Sequence, residues 1–241
     1  MIKKLADKLG VKFNDLDLLQ QAVTHRSYLN ENRDYKLDHN ERLEFLGDAV
    51  LELVVTEYLY ENYPNPEGEL TNWRAALVNG EMLAKISKRM GVEEFLLMSR
   101  GEAKDKGKAR QYLLANAFEA ITGAIYLDQQ EKPARNASHS DAGGGYEAVK
   151  RFILENVVVE LPEIIEKKLY MDPKSRFQEV AQDKLGVTPS YRVMGESGPD
   201  HDKKFTVGIY LNDELIAKGE GSSKQEAQRN AAIAGLEVKG W

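Results

Sequence analysis

The sequence contains no cysteine. This absence excludes disulfide bonds, thiolate zinc sites and a cysteine nucleophile, so any metal site must use oxygen or imidazole ligands. No apolar run approaches the roughly 18 residues needed to cross a bilayer, and the first residues lack the apolar core of a secretion signal. We therefore expect a cytoplasmic protein that has no membrane partner.

The chain also lacks an excess of positive charge. Its 241 residues include 33 Lys and Arg against 39 Asp and Glu, which gives a formal net charge of -6. Residues 1–170 hold 23 basic and 28 acidic residues, and residues 171–241 hold 10 and 11. Bulk charge would not make such a chain coat nucleic acid non-specifically, so any nucleic-acid binding must depend on local patches.

Hydrophobic periodicity divides the chain into two parts. Apolar residues recur at helical spacing from the start to about residue 128 and again towards residue 168, on either side of a glycine-rich insertion at 129–145. The pattern after residue 171 predicts one helix, three alternating strands and a last helix. We therefore predict an all-α domain over 1–170 and a small α+β domain of α-β-β-β-α order over 171–241.

The most apolar predicted helix, residues 39–55, carries three carboxylates. At about 100° per residue, Glu41, Glu44 and Asp48 fall within about 60° of one another on a single face. Grouping like charges in apolar surroundings costs several kcal/mol for each buried carboxylate unless a cation or a shifted pKa relieves it. The alternative is a solvated helix edge whose acids pair with a base such as Arg42 or Arg74.

A second apolar helix, residues 112–127, carries Asn116 and Glu119 three residues apart. Small residues on this helix would let it approach the first helix closely. The oxygen-bearing side chains of the two helices would then meet, which is how a helical bundle builds a divalent-metal site. An oxygen-only ligand set indicates Mg²⁺, with Mn²⁺ as a substitute, rather than zinc.

The segment from His39 to Asp48 resembles the signature of bacterial ribonuclease III. Residues 24–28, 68–78 and 115–120 support the resemblance, and residues 171–241 are similar to a double-stranded RNA-binding domain. The resemblance implies a metal-dependent endoribonuclease that hydrolyses phosphodiesters in both strands of duplex RNA. It also implies 5′-phosphate and 3′-hydroxyl ends, and a role in processing structured precursor RNA such as rRNA.

The resemblance assigns Glu44, Asp48 and Glu119 as metal ligands, with Glu41 beside them supporting RNA placement or cleavage. Asn116 occupies a position where the family more often has aspartate, so one ligand would be a neutral amide. The alternative function is a catalytically weakened duplex-RNA-binding or ribosome-associated protein. Phe45 is expected to insert across the two-fold interface of a homodimer, although an ordinary core phenylalanine would fit the sequence as well. No small-molecule cofactor is expected.

In the second domain, the resemblance places RNA contacts on side chains that present amide, carboxylate, imidazole or ammonium groups. Ammonium groups near a helix start suit phosphates, and donors and acceptors on the first helix suit 2′-hydroxyl groups. A solvated polar face is the alternative for each of them. The predicted RNA-binding residues are Gln178, Glu179, Gln182, His201, Lys203, Lys204 and Lys224.

Overall fold

The computed structural model describes residues 2–104, 107–130, 144–199 and 203–241. Its contacts divide the chain into two compact units, Met1–Ile164 and Ile165–Trp241. The predicted insertion at 129–145 lies outside the described residues except at its two ends, and His201 lies outside them entirely. The predicted domain boundary between residues 170 and 171 stays a prediction.

The first unit is helical, as the periodicity predicts. Short 3₁₀ turns at Val92–Phe95 and Val158–Glu160 interrupt the helices, and a parallel bridge pairs Thr24 with Leu97. The described helices up to the unit boundary are α1 (Ile2–Leu9), α2 (Leu16–Ala22), α3 (Arg26–Glu31), α4 (Glu41–Asn62), α5 (Glu67–Val78), α6 (Gly80–Arg89), α7 (Arg100–Lys104), α8 (Lys108–Asp128), α9 (Gly144–Asn156) and α10 (Leu161–Glu166), whose last two residues belong to the second unit.

Helix α8 lies at the centre of this unit, because it is apolar on nearly every side between Leu113 and Ile125. Helices α4, α6, α2 and α9 pack around it, and α4 makes the most extensive contact. Phe118 of α8 stacks on Phe152 of α9 with ring centroids 5.7 Å apart. Asn116 and Glu119 interrupt the buried surface of α8 as half-buried positions on one side.

The second unit has the predicted α-β-β-β-α order: α11 (Pro173–Leu185), β1 (Ser190–Ser197), β2 (Lys204–Leu211), β3 (Glu214–Gly221) and α12 (Lys224–Lys239). The strands form an antiparallel sheet in the order β1-β2-β3. Phe177, Ile209 and Leu236 belong to the core between this sheet and its two helices. Within the described residues, no helix is both long and apolar enough to cross a membrane.

Two local signals fix the helix starts in this unit. The Asp172 side chain accepts hydrogen bonds from the backbone N–H groups of Lys174 and Ser175 and so caps α11, with Pro173 in the first turn. Ser223 caps α12 by accepting from the backbone of Glu226. The carboxylate of Glu226 accepts in return from the backbone of Ser222, one residue before the position that a standard capping box uses.

Candidate active site and nucleic-acid interface

Helices α4 and α8 cross in direct backbone contact at two glycines. A Cβ atom at Gly47 would overlap the backbone carbonyl of Glu119, and one at Gly123 would overlap the carbonyl of Leu43. Only glycine permits this approach, because every other residue carries a Cβ. The crossing therefore sets Glu44 and Asp48 of α4 beside Glu119 of α8.

The carboxylates at this crossing interact electrostatically. Burial raises the pKa of Glu119 to about 7, and the charges of Asp48 and Glu44 add to the rise. Burial also raises the pKa of Glu44, with further contributions from Glu41 and Asp48, and a hydrogen bond from Asn116 partly offsets them. Four of the predicted site residues are therefore brought together with Asn116, in an arrangement that favours a cation or a bound proton.

Glu41 lies at the outer side of this cluster, beside the Arg26 guanidinium and the His39 imidazole. Its carboxylate is 3.3 Å from the Arg26 guanidinium and 3.8 Å from Nδ1 of His39. The preceding residue, Asn40, is buried and fixes the start of α4. Its Nδ2 donates to the carbonyl of Ala22 at 3.3 Å, and its backbone carbonyl accepts from the N–H of Glu44 at 2.9 Å.

The donor set fits a hard divalent cation in its chemistry. Carboxylate and amide oxygens are ligands that Mg²⁺ and Mn²⁺ take. Burial, followed by the charges of Asp48 and Glu44, raises the pKa of Glu119, so a nearby cation would favour its ionised form. The described residues contain no group of three or more His, Asp or Glu side chains already arranged to hold one ion.

Phe45 points away from the core. Its side chain is 82% exposed, which excludes the ordinary core phenylalanine that the sequence also allowed. An open groove beside it is lined by apolar and polar side chains of α2, α4, α8 and the segment before α4, including Leu18, Gln21, His39, Leu46 and Leu127. A large exposed aromatic ring next to such a groove is typical of a contact surface.

Two of the predicted RNA-binding lysines share one carboxylate. The Nζ atoms of Lys203 and Lys224 lie 2.9 Å and 3.6 Å from different oxygens of Glu196, at the end of β1. Hydrogen bonds from Lys203 lower the pKa of Glu196, and Lys224 adds to the effect. Both ammonium groups also lie within 6 Å of the Phe205 ring centroid, at 5.8 and 5.7 Å.

The remaining predicted RNA contacts are separate from this lysine pair. Gln178, Glu179 and Gln182 line one open groove along α11. The Glu179 carboxylate is 3.5 Å from the Lys168 ammonium group, and Gln182 accepts a hydrogen bond from the Thr188 hydroxyl at 3.3 Å. Lys204 is exposed at the first position of β2.

Comparison with known proteins identifies the family of the chain. A family model described as Ribonuclease-III-like matches residues 15–141, and one for the double-stranded RNA binding motif matches residues 173–239. The chain is 43% identical over 234 residues to Ribonuclease 3 of Enterococcus faecalis, covering 97% of this chain and 95% of that protein. The chain belongs to the ribonuclease III family.

Further similarities agree with this assignment. Ribonuclease 3 of Desulforamulus reducens is 42% identical over 230 residues, with 95% of this chain and 87% of that protein covered. The nuclease domain of ribonuclease III from Campylobacter jejuni, described with a flexible region involved in dimer formation, superposes with a TM-score of 0.55 at 39% identity. That match covers 67% of this chain and 99% of the other.

Membership of the ribonuclease III family and the RNA-binding motif together make the chain a double-strand-specific endoribonuclease. Family membership also implies a divalent metal cofactor. Two residues that organise these surfaces were not among the predicted site residues. Gly47 is part of the signature segment, but its contact with the backbone of Glu119 becomes visible only in the packed helices. Glu196 lies opposite Phe205 because the strand register shifts at an irregularity between Val193 and Gly195.

Proposed function

We propose that this ribonuclease III uses Mg²⁺, or Mn²⁺ in its place, to hydrolyse one phosphodiester in each strand of duplex RNA. The products carry 5′-phosphate and 3′-hydroxyl ends. The observation that carries the proposal is the close crossing of α4 and α8, which groups Glu44, Asp48 and Glu119 with too little positive charge around them. When bound, the ion activates water and stabilises the charge that develops on the scissile phosphate.

The side chains divide the work by position. Glu44, Asp48 and Glu119 hold the ion with their carboxylates, and the amide of Asn116 completes the set as its neutral member. Glu41 is the fourth acid of the catalytic set, and its contacts with Arg26 and His39 support a role in orienting the RNA backbone at the edge of the site. No protein nucleophile is required, because the attacking group is water.

The second unit supplies binding without cleavage. Lys203, Lys204 and Lys224 contact phosphates, and Gln178, Glu179 and Gln182 contact 2′-hydroxyl groups across the minor groove of an A-form duplex. His201, which lies outside the described residues, belongs to this set by resemblance alone. The expected substrates are structured precursor RNAs such as rRNA and mRNA precursors in the cytoplasm.

We propose that the enzyme acts as a homodimer with two active sites, each of which cuts one strand. The exposed Phe45 ring and the groove beside it support this assembly, since together they offer apolar surface that a second subunit can bury. The dimer-forming region described for the Campylobacter jejuni nuclease domain supports it as well.

A cleavage assay tests the proposal. The purified chain is incubated with long duplex RNA in the presence of Mg²⁺, and in parallel with a chelator. We expect short products with Mg²⁺ only, and loss of cleavage by at least about 100-fold in Glu119→Gln and Asp48→Asn, with duplex-RNA binding retained within a few-fold. Glu155→Gln on the exposed side of α9 removes the same charge and should cleave at the wild-type rate.

The same assay separates the enzyme from the alternative. A catalytically weakened RNA-binding protein would retain duplex RNA and leave it intact at every Mg²⁺ concentration. The neutral Asn116 is the feature that favours this alternative. Wild-type cleavage by both Glu119→Gln and Asp48→Asn would contradict the proposed metal site.

A further inference from the structure

The carboxylate of Glu196 lies between two ammonium groups, those of Lys203 and Lys224, which are predicted to contact RNA phosphate. Its two oxygens lie 2.9 Å from Nζ of Lys203 and 3.6 Å from Nζ of Lys224. Both cations also approach the same aromatic ring, that of Phe205. Lys203, Lys224 and Phe205 therefore surround one oxyanion, which in the free chain is the carboxylate of Glu196.

The fold holds this arrangement in place. Glu196 is paired with Phe205 in the antiparallel register of β1 and β2, so its side chain emerges beside the start of β2. Lys224 begins α12, and α12 lies directly on β3, because a Cβ at Gly219 would overlap the backbone of Ala231. The sheet and the helix thus set the backbone positions of the two lysines.

We propose that Glu196 is an internal competitor of the RNA phosphate, and that it sets the strength and the salt dependence of duplex-RNA binding by this domain. A phosphate that reaches Lys203 and Lys224 must displace or share the carboxylate, whose charge repels it. The residues after 170 have a net charge of only -1, so one acid at the phosphate site has a large relative effect. The proposal rests on the duplex-RNA binding of the second unit and does not require cleavage.

The number of counterions that RNA binding releases should depend on Glu196. In the free chain the two lysines are neutralised in part by Glu196, so RNA releases fewer counterions than two free lysines would allow. Removing the carboxylate should steepen the slope of log K against log salt by up to about 0.9, the value for one additional phosphate neutralised. Removing an acid elsewhere should leave the slope nearly unchanged.

The experiment compares Glu196→Gln with a matched control, Glu214→Gln. Glu214 is also an exposed acid of the sheet, but it pairs with Leu211, six positions along β2 from Phe205, or roughly 20 Å away. Binding of a short duplex RNA to the full chain is measured with a chelator present, at several salt concentrations. We expect Glu196→Gln to bind about two- to tenfold more tightly than Glu214→Gln at low salt, with the steeper slope.

A second background tests whether the effect passes through the lysines. In the double variant Lys203→Met with Lys224→Met, adding Glu196→Gln should give no more gain than adding Glu214→Gln. Binding by Glu196→Gln that is equal to or weaker than the control would overturn the proposal and assign Glu196 to holding the lysines in place. An equal gain in the methionine background would overturn it too. Because a chelator is present, failure of the proposed cleavage would not affect either result.

Discussion

Gly47 of α4 lies directly against the backbone carbonyl of Glu119 on α8. The contact joins the two halves of the acidic site without any side chain between them. A methyl group at position 47 would meet backbone, which cannot rotate away as a flexible side chain can. The helices must then separate, and the carboxylates must separate with them.

We therefore predict that Gly47→Ala loses about 3 kcal/mol or more of unfolding free energy, the upper range of overpacking in a core. Denaturant unfolding of the full chain measures this loss. Gly68→Ala is the matched control, because nothing lies within 4 Å of a Cβ at that position of α5. The control should be unchanged or slightly more stable, since alanine favours helix. Equal stability of the two variants would show that the crossing is looser than described.

The unfolding free energy measured as a function of pH should reveal the raised pKa of Glu119. Because burial and the charges of Asp48 and Glu44 raise its folded pKa to about 7, the folded state binds the proton more tightly than the unfolded state, whose ordinary value is 4.5. The associated stability is present below pH 4.5 and is lost as pH rises through 7. In chelator, Glu119→Gln should become more stable than wild type by about 1–2 kcal/mol between pH 4.5 and 8, after allowance for solvent screening. A difference that is constant with pH would contradict the raised pKa.

Phe45 offers a test of assembly that is independent of catalysis. Phe45→Ala removes the exposed ring and should shift the chain from dimer to monomer at micromolar concentration, which light scattering measures. Its thermal stability as a monomer should be little changed, because the ring lies outside the core. Tyr60→Ala, at another strongly exposed aromatic of α4, controls for the general loss of apolar surface. Dimerisation that survives Phe45→Ala would remove this residue from the interface.

Sequence periodicity predicted the shared face of Glu44 and Asp48, because both lie on one helix and the angle between them follows from 3.6 residues per turn. The small residues on the helix of Asn116 indicated that this helix could approach another closely. The identity of the contact at Gly47 was not predictable in this way, since it depends on which helix faces which and at what height. The contact between Gly47 and Glu119 is determined by packing between segments that are far apart in the sequence.

The lysine pair illustrates the same limit in the second unit. Lys203 and Lys224 were predicted as phosphate contacts from their places near a strand and a helix start. Their partner Glu196 was not, because an irregularity between Val193 and Gly195 changes which residue of β1 stands opposite Phe205. A one-residue change in register moves a side chain to the other face of a sheet. Alternation in the sequence cannot fix that register by itself.

Removing residues 172–241 separates binding from cleavage. The remaining chain should fold and dimerise, because the acidic site and Phe45 lie within residues 2–164 and the nuclease domain alone of a relative has a solved structure. We expect weaker binding of duplex RNA and a shallower salt dependence, since the phosphate contacts of Lys203, Lys204 and Lys224 are lost. Binding measured in chelator at two salt concentrations checks both effects. Unchanged affinity would contradict the assignment of RNA binding to the second unit.

Asn116→Asp provides the most direct test of the fourth position in the metal site. The substitution adds a carboxylate beside Glu44 and removes the amide whose hydrogen bond holds the pKa of Glu44 down. Repulsion in the metal-free state should therefore grow, and the variant should melt at a lower temperature than wild type in chelator.

Added Mg²⁺ should stabilise the Asn116→Asp variant more than it stabilises wild type. The extra negative charge should lower the Mg²⁺ concentration needed for half-maximal cleavage and enlarge the rise in melting temperature that Mg²⁺ produces. An ion that binds only the folded state stabilises it more as its affinity increases, with a logarithmic dependence. Asn116→Ala removes the amide without adding charge and should show no such gain. If Asn116→Asp leaves both the Mg²⁺ requirement and the thermal response unchanged, residue 116 lies outside the metal shell, and the ion is held by Glu44, Asp48 and Glu119 alone.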